Sequence, residues 1–282
     1  MPALPWIFLA LATAAAWTDR FRPWLPLLLG GTIAAAVADG LLGWPAGLAL
    51  ALLAILAWAV RENRPAAVRW VGHGLFLVLA VALSAHLWPG FHNPRVMGPA
   101  PLTPDAMPFT LYLNLDKPLV GLWLLAFVPA VRALRPPGRT LAVTAIAWLA
   151  TSAACLAAAL ILGIVAWAPK WPAGARLWLL DNLAFVAVAE EALFRGYIQA
   201  GLTRCLRHRR WGEPLALVTA SALFGLAHVG GGLPWVILGG IAGIGYGLAY
   251  RHGGLPAAIL AHVGLNATHF FLFTYPMLRP AA

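Results

Sequence analysis

Charged residues are scarce in this chain. Only 10% of its 282 residues are Asp, Glu, Lys or Arg, whereas 62% are hydrophobic. Soluble globular domains are typically about 25% charged and about 45 to 50% apolar, so this composition excludes an ordinary soluble domain. Apolar runs of about 17 to 25 residues, each long enough to cross a bilayer as a helix, recur along the chain. The sequence predicts an all-α fold, a polytopic integral membrane bundle of about 8 to 10 transmembrane helices.

Cysteine and two familiar hydrolase signatures are also missing or rare. The chain has 2 cysteines, Cys155 in an apolar stretch and Cys205 beside a basic loop, and neither has a CxxC partner. This argues against a disulfide framework and against a thiolate metal site. The chain contains neither the helical HExxH zinc signature nor a GxSxG nucleophile elbow. The common zinc-protease and serine-hydrolase patterns are therefore excluded.

Acidic residues are outnumbered, which gives a net charge of +10. In a soluble protein this would suggest nucleic-acid binding. Here arginines gather in short connections, as is typical of cytoplasmic loops, so we expect the lipid bilayer and not nucleic acid as the partner of this charge. Alternate connections place 13 of the 19 basic residues on one side and 5 on the other. The richer side is predicted to be cytoplasmic, with both termini outside, and the composition favours a multi-pass protein of a bacterial inner membrane.

Proline, glycine and charge divide the chain into about ten hydrophobic segments. We predict an N-terminal transmembrane region at 1–139 and a second transmembrane core at 140–275. The segments lie at roughly 4–17, 24–42, 45–60, 70–88, 118–134, 142–168, 177–203, 214–229, 234–250 and 255–274.

The longest connection, 89–117, contains 6 prolines. Proline density excludes a long regular helix there, and the aromatic residues at its ends suit the level of the lipid headgroups. We expect an interfacial loop on the outer face. A role in admitting substrate is the alternative.

The first polar cluster is Glu190, Glu191 and Arg195, which interrupts an otherwise apolar run. An ionisable residue inside a membrane helix costs roughly 2.5 to 3.5 kcal/mol, so it usually faces a partner or a watery cavity. On a helix, Glu191 and Arg195 share a face, while Glu190 points about 100° away. We therefore expect Arg195 to neutralise Glu191, and Glu190 to be the carboxylate that transfers protons. An inert ion network is the alternative.

Two further polar groups follow on later segments. Phe224 and His228 are one helical turn apart, just before three successive glycines. In the last segment, His262, Asn266 and His269 fall near one helical stripe. Imidazoles and an amide inside apolar helices need polar partners, and we expect His269, near the outer end, to meet water.

Together these groups supply a carboxylate base, two imidazoles and an amide. That set can activate a water molecule and stabilise an oxyanion, as peptide hydrolysis requires. A divalent metal such as zinc, held by Glu190, His228 and His262, is the other chemical use of the same groups. The spacing does not decide between the two, so no cofactor is assigned.

The three motifs resemble those of the CPBP family, the CAAX-protease, bacteriocin-processing and abortive-infection-type group of intramembrane proteases. The family pattern is EExxxR, FxxxH and HxxxN on successive membrane helices, and all three occur here in order at 190–195, 224–228 and 262–266. The resemblance covers about 140–275. It implies that Glu190 with His228 deprotonates water, that His262 and Asn266 hold the oxyanion, and that Glu191, Arg195 and Phe224 support the site.

The resemblance also implies the activity: an intramembrane endopeptidase acting on a membrane-associated protein or peptide. Some relatives act in bacteriocin immunity or as scaffolds, so a non-catalytic scaffold is the alternative. A proton- or cation-coupled transporter is a third hypothesis, because intramembrane carboxylates and histidines also build ion pathways. The chain shows neither the internal repeat nor the paired broken helices that many transporters have.

Overall fold

The computed structural model describes residues 3–280, and these are mainly helical. In the first part of the chain the elements are α1 (Leu4–Ala16), α2 (Leu25–Ala38), α3 (Trp44–Ala59), α4 (Ala66–Ser84), β1 (Arg95–Pro101), β2 (Pro108–Tyr112) and α5 (Asp116–Phe127). In the second part they are α6 (Pro137–Ile161), α7 (Ala175–Asp181), α8 (Val188–Glu191), α9 (Ala200–Cys205), α10 (Gly212–Leu226), α11 (Leu233–Gly253) and α12 (Leu255–Leu272). Helix accounts for 69% of the structure, which confirms the predicted all-α class.

Helices α7, α8 and α9 are parts of one continuous helix, 175–205. Two π-helical segments, Asn182–Ala187 and Ala192–Gln199, join them. π-Helical turns are rare, and they occur frequently at functional sites because the wider turn shifts side chains out of the regular register. Glu190 and Glu191 lie in the short α8 between these two segments.

Proline sets where many of the helices begin. Because its fixed φ suits the first turn and its missing N–H is not needed there, proline is tolerated at this position. Six helices, α1, α2, α3, α6, α11 and α12, carry a proline at their first or second residue. The prolines that divide the sequence into segments therefore mark helix starts.

Four helices of the described chain are long and apolar enough to cross a membrane: α4, α6, α11 and α12. The other predicted spans coincide in part with shorter apolar helices, such as α1 and α3. Large apolar side chains such as Trp44 and Ile161 are exposed, as expected where the solvent is lipid. The protein is an integral membrane protein, as the composition predicted.

The described chain forms two compact units, each made of segments that are discontinuous in sequence. The first contains 1–94, 113–129 and 184–189; the second contains 95–112, 130–183 and 190–282. The division at residue 139 that the sequence suggested stays a prediction.

In the first unit, Trp123 joins three helices. Its ring stacks on Phe76 of α4 with 3.9 Å between ring centroids, and its indole N–H donates to the Leu53 carbonyl of α3 at 2.8 Å. Gly121, two residues earlier on α5, permits close approach, because an added Cβ would lie 2.6 Å from the Ala189 Cα. This packing fixes α5 against its neighbours.

The first unit also buries a carboxylate, Asp116, at the start of α5. One Asp116 oxygen lies 2.7 Å from His86 Nδ1, and the other accepts hydrogen bonds from the Asn93 side chain at 3.2 Å and the Lys117 backbone at 2.9 Å. Asn93 in turn accepts from the Leu115 backbone N–H. This cluster, the Asp116 cluster, ties the end of the 85–94 connection to the first turn of α5.

The second unit is organised around α11, which packs on α6, α10 and α12. Small residues permit the close α10–α11 contact, as is common between membrane helices. A Cβ at Gly225 would lie 2.5 Å from the Val236 carbonyl oxygen, and one at Gly243 would lie 2.9 Å from the Ser221 Cα. Any larger residue at these two positions would force the helices apart.

The proline-rich connection contains secondary structure that its composition did not predict. Strands β1 and β2 pair as an antiparallel hairpin with two irregularities in register. The segment after α12 makes backbone hydrogen bonds to two other connections. The N–H of Thr274 donates to the Ala166 carbonyl in the connection after α6, and the N–H of Met107 donates to the Met277 carbonyl. The loop predicted for 89–117 is therefore a hairpin followed by the start of α5.

Candidate functional site

The predicted pair of Glu191 and Arg195 is present. The Arg195 Nε lies 3.1 Å from Glu191 Oε2, and both side chains are fully buried, at 0% exposure. A buried charge is tolerated only when it is paired, because desolvation otherwise costs several kcal/mol. The pair therefore accounts for how two charged groups are accommodated in the middle of the helix 175–205.

His262 of α12 lies beside both carboxylates. Its Nδ1 is 2.9 Å from Glu191 Oε1, and its Nε2 is 3.8 Å from Glu190 Oε2. A carboxylate oxygen only accepts, so Nδ1 carries the hydrogen and donates it to Glu191. The contact fixes the ring so that its second nitrogen faces Glu190.

Glu190 and Glu191 occupy different surroundings although they are adjacent in sequence. The Glu190 side chain is 16% exposed, whereas that of Glu191 is fully enclosed. The 3.8 Å separation from His262 Nε2 is too long for a direct hydrogen bond. The partly accessible carboxylate is the one that the helical spacing assigned to proton transfer.

Aromatic rings enclose the charged groups. The Arg195 guanidinium carbon lies 4.7 Å from the Phe224 ring centre, a cation–π distance. Phe224 meets His262 edge to face at 5.8 Å, and Tyr246 of α11 stacks on the same imidazole at 4.6 Å with 10° between the ring planes. Phe224 thus supports the site by packing, and Tyr246 holds the plane of the His262 ring.

His228 follows directly after the end of α10. Its Nδ1 lies 2.8 Å from the Phe224 carbonyl oxygen. Because a carbonyl only accepts, Nδ1 donates, and the neutral ring keeps Nε2 as a hydrogen-bond acceptor. A Cβ at Gly239 would come within 3.1 Å of this Nδ1, so the glycine leaves the imidazole its space.

Asn266, one turn after His262 on α12, is held by a residue that the sequence analysis did not single out. Its Nδ2 donates to Asn182 Oδ1 at 2.9 Å. Asn182 is buried, with 7% exposure, and it is the first residue of the π-helical segment Asn182–Ala187. The sequence did carry a signal for Asn182, because Asp181 and Asn182 form a polar pair within an apolar run.

A cavity brings the second and third motifs together. It offers about 80 Å³ to the centres of water-sized molecules, and about 10 to 15 Å³ suffices for one water. His228, His262 and Asn266 line it together with apolar side chains of α6 and α11, and Phe224 and Tyr246 also face it. The cavity therefore has room for water beside the polar groups of the site.

His269 also lines this cavity, and its surroundings differ from those expected. Its Nε2 lies 3.2 Å from the Thr274 carbonyl, and its ring is 4.9 Å from that of Tyr275. The prediction that His269 simply meets water was incomplete, because the chain turns back after α12 and supplies these partners.

The sequence analysis left a metal ion open as one use of these residues. Within residues 3–280, no group of three or more His, Cys, Asp or Glu side chains is arranged to hold a metal ion. His262 Nδ1 donates to Glu191 and His228 Nδ1 to a backbone carbonyl, which leaves Nε2 of each ring as the nitrogen that can accept. The set considered for zinc, Glu190, His228 and His262, stays a prediction, and the reaction below is derived without a metal.

Comparison with known families agrees with the motifs. Residues 172–268, about a third of the chain, match the family model described as type II CAAX prenyl endopeptidase Rce1-like. All three motifs lie within this range, and the match confirms the resemblance to the CPBP family of intramembrane proteases. No curated protein and no solved structure matches the chain.

Proposed function

We propose that this protein is an intramembrane endopeptidase in which Glu190 activates water to hydrolyse a peptide bond of a membrane-associated protein or peptide. The family match supports an endopeptidase in general terms. One observation carries the mechanism: His262 joins the buried Glu191 to the more accessible Glu190 and faces a cavity that His228 and Asn266 also line.

In the proposed reaction, a water molecule lies between Glu190 and His228. Glu190 takes one of its protons, and His228 Nε2 accepts a hydrogen bond from the other. The resulting hydroxide attacks the carbonyl carbon of the scissile bond. The proton held by Glu190 then passes to the leaving amine nitrogen, so that water is divided between the two products.

The negative charge on the carbonyl oxygen needs donors at the moment of attack. Asn266, which lines the cavity, offers an amide N–H. His262 offers a second donor when its Nε2 is also protonated.

Glu191 and Arg195 act indirectly in this proposal. Glu191 orients His262 through Nδ1, in the way that a buried carboxylate orients a catalytic histidine in other hydrolases. Arg195 balances the charge of Glu191 and is itself fixed by aromatic rings. Neither needs to touch the substrate.

The experiment is a cleavage assay with purified protein in detergent and a library of peptides from membrane proteins. Wild type is compared with Glu190→Ala and His228→Ala, and each variant is checked for folding by its thermal unfolding midpoint. We expect a set of cleaved peptides that disappears in both variants. Cleavage that persists undiminished in both would exclude this mechanism.

The cellular setting is part of the same proposal. We propose a bacterial inner membrane, because arginine is concentrated on one side of the chain. The products are then expected to leave the membrane or to change their attachment to it. Fractionation of cells that express a tagged substrate measures this release.

A further inference from the structure

The hydrogen bond between Asn182 and Asn266 joins the helix 175–205 to α12 close to the cavity. The donor is Asn266 Nδ2 and the acceptor is Asn182 Oδ1, 2.9 Å apart. Asn182 is buried and does not line the cavity, whereas Asn266 does. The bond therefore lies behind the amide that faces the cavity.

This bond restricts which way the Asn266 amide points. An amide nitrogen carries two hydrogens, and Asn182 takes one of them. With the Asn182 oxygen in place, rotating the Asn266 amide by half a turn would bring two carbonyl oxygens face to face, without a hydrogen between them. In apolar surroundings such an arrangement is costly, because a buried acceptor without a donor has no water to replace it. The second N–H of Asn266 keeps one direction.

The position of Asn182 in the helix is itself unusual. It opens the π-helical segment Asn182–Ala187, whose wider turn places side chains out of the regular α-helical register. Glu190 lies two turns later in the same continuous helix. One helix thus carries both the proposed base and the residue that holds the proposed oxyanion donor.

We propose that Asn182 is a positioning residue for the hydrolysis, which fixes the Asn266 amide so that its second N–H points to the developing oxyanion. This inference rests on the proposed function. It predicts that loss of Asn182 slows the chemical step and leaves substrate binding unchanged, because Asn182 acts on the transition state through Asn266 and not on the bound substrate.

The test is a double-variant cycle on the purified full-length protein, with a peptide that wild type cleaves. Removal of an oxyanion donor typically lowers kcat about 10²- to 10³-fold, and we expect this for Asn266→Ala. We expect Asn182→Ala to lower kcat about 10- to 100-fold with an unchanged KM, since misplacement of a group by about 1 Å costs up to about 10²-fold. The double variant should be no slower than Asn266→Ala alone.

A conservative variant separates positioning from helix packing. Asn182→Asp keeps an acceptor oxygen at the same place and should recover most of the kcat lost in Asn182→Ala. If Asn182→Ala does not fold, Asn182→Ser replaces it, because a serine oxygen is too close to its own backbone to reach Asn266. Thermal unfolding midpoints are measured for every variant.

Each outcome decides a different claim. An unchanged kcat in Asn266→Ala would contradict the proposed oxyanion role of Asn266, and with it the proposed mechanism. A slow Asn266→Ala with a wild-type Asn182→Ala would overturn the positioning role alone. The positioning role would also be overturned if the fold-losses in kcat of the two single variants multiply in the double variant. Residues that act as one unit give a smaller loss than that product.

Discussion

Two buried carboxylates in this protein each contact a histidine, but their surroundings differ. In the Asp116 cluster, a carboxylate with 1% exposure contacts His86, a side chain that is 43% exposed. In the second unit, Glu191 contacts a histidine that is itself buried, His262. Both are short carboxylate–imidazole contacts, at 2.7 and 2.9 Å.

The difference lies in what the remaining atoms contact. The oxygens of Asp116 contact the His86 ring, the Asn93 side chain and the Lys117 backbone N–H, all within residues 86–117. At Glu191 the partners come from the carboxylate's own helix and from α12, and the second nitrogen of His262 faces another carboxylate beside a cavity. We infer that a cluster whose carboxylate oxygens are all taken up by neighbouring groups is suited to hold a turn, whereas one that places a ring nitrogen next to a second carboxylate and a cavity is suited to chemistry.

The largest difference in activity is expected when one carboxylate charge is removed from each of the two clusters in turn. Glu190→Gln removes the proposed base and should lower kcat about 10²- to 10⁴-fold, the range typical of general acid–base catalysis, with little change in the thermal unfolding midpoint. Its matched control, Asp116→Asn, keeps the shape of a carboxylate in the other cluster and should retain wild-type cleavage. An equal loss of activity in both variants would remove the distinction between the clusters.

Breaking the buried ion pair should mainly affect stability. Glu191→Ala leaves the Arg195 guanidinium buried without its carboxylate, at a cost of about 3 to 5 kcal/mol. Replacing both residues, Glu191→Leu with Arg195→Met, removes the uncompensated charge and should restore much of the unfolding free energy, but not cleavage. Thermal and denaturant unfolding in detergent measure both variants. A double variant as unstable as Glu191→Ala would contradict the charge argument.

The Asp116 cluster should show the opposite pattern, a smaller loss of stability without a loss of chemistry. Asp116→Ala deprives Asn93 and the Lys117 backbone N–H of their acceptor, which we expect to lower the free energy of unfolding by about 1 to 3 kcal/mol. Once the variant is folded, its kcat should equal that of wild type. If the fully folded variant has a kcat below that of wild type, the Asp116 cluster contributes to catalysis.

The smallest effect is expected at Tyr246, whose ring stacks on His262. Aromatic stacking is worth about 0.5 to 1.5 kcal/mol beyond the buried area, so Tyr246→Leu should lower kcat by about 2- to 10-fold. Tyr246→Phe keeps the ring and is the control, with a kcat close to that of wild type. If Tyr246→Phe is as slow as Tyr246→Leu, the hydroxyl and not the stacking is responsible.

The sequence predicted well those features that depend on helical spacing. Glu191 and Arg195 are four positions apart, and the pair forms as expected. The composition also predicted the all-α membrane class, because apolar runs and scarce charge leave few other folds. The roles of Glu190, His228, His262 and Asn266 in catalysis stay predictions until variants are assayed.

Other features depend on contacts between distant segments, and local patterns do not reveal those. Tyr246 lies in a glycine-rich apolar run where nothing marks it as a partner of His262. Asn182 had a visible signal, its polarity in an apolar segment, but its partner is 84 residues away in sequence. The hairpin of β1 and β2 was missed because proline density argues against helix and says little about short paired strands.

The measurement that tests the central claim most directly is a comparison of protein N-termini in membranes from cells with wild-type protein and cells with Glu190→Ala at equal abundance. The account predicts that a small set of membrane proteins is cleaved in wild-type cells and accumulates as intact precursors with Glu190→Ala. Identical sets of N-termini in the two membranes would contradict proteolysis by a Glu190-activated water.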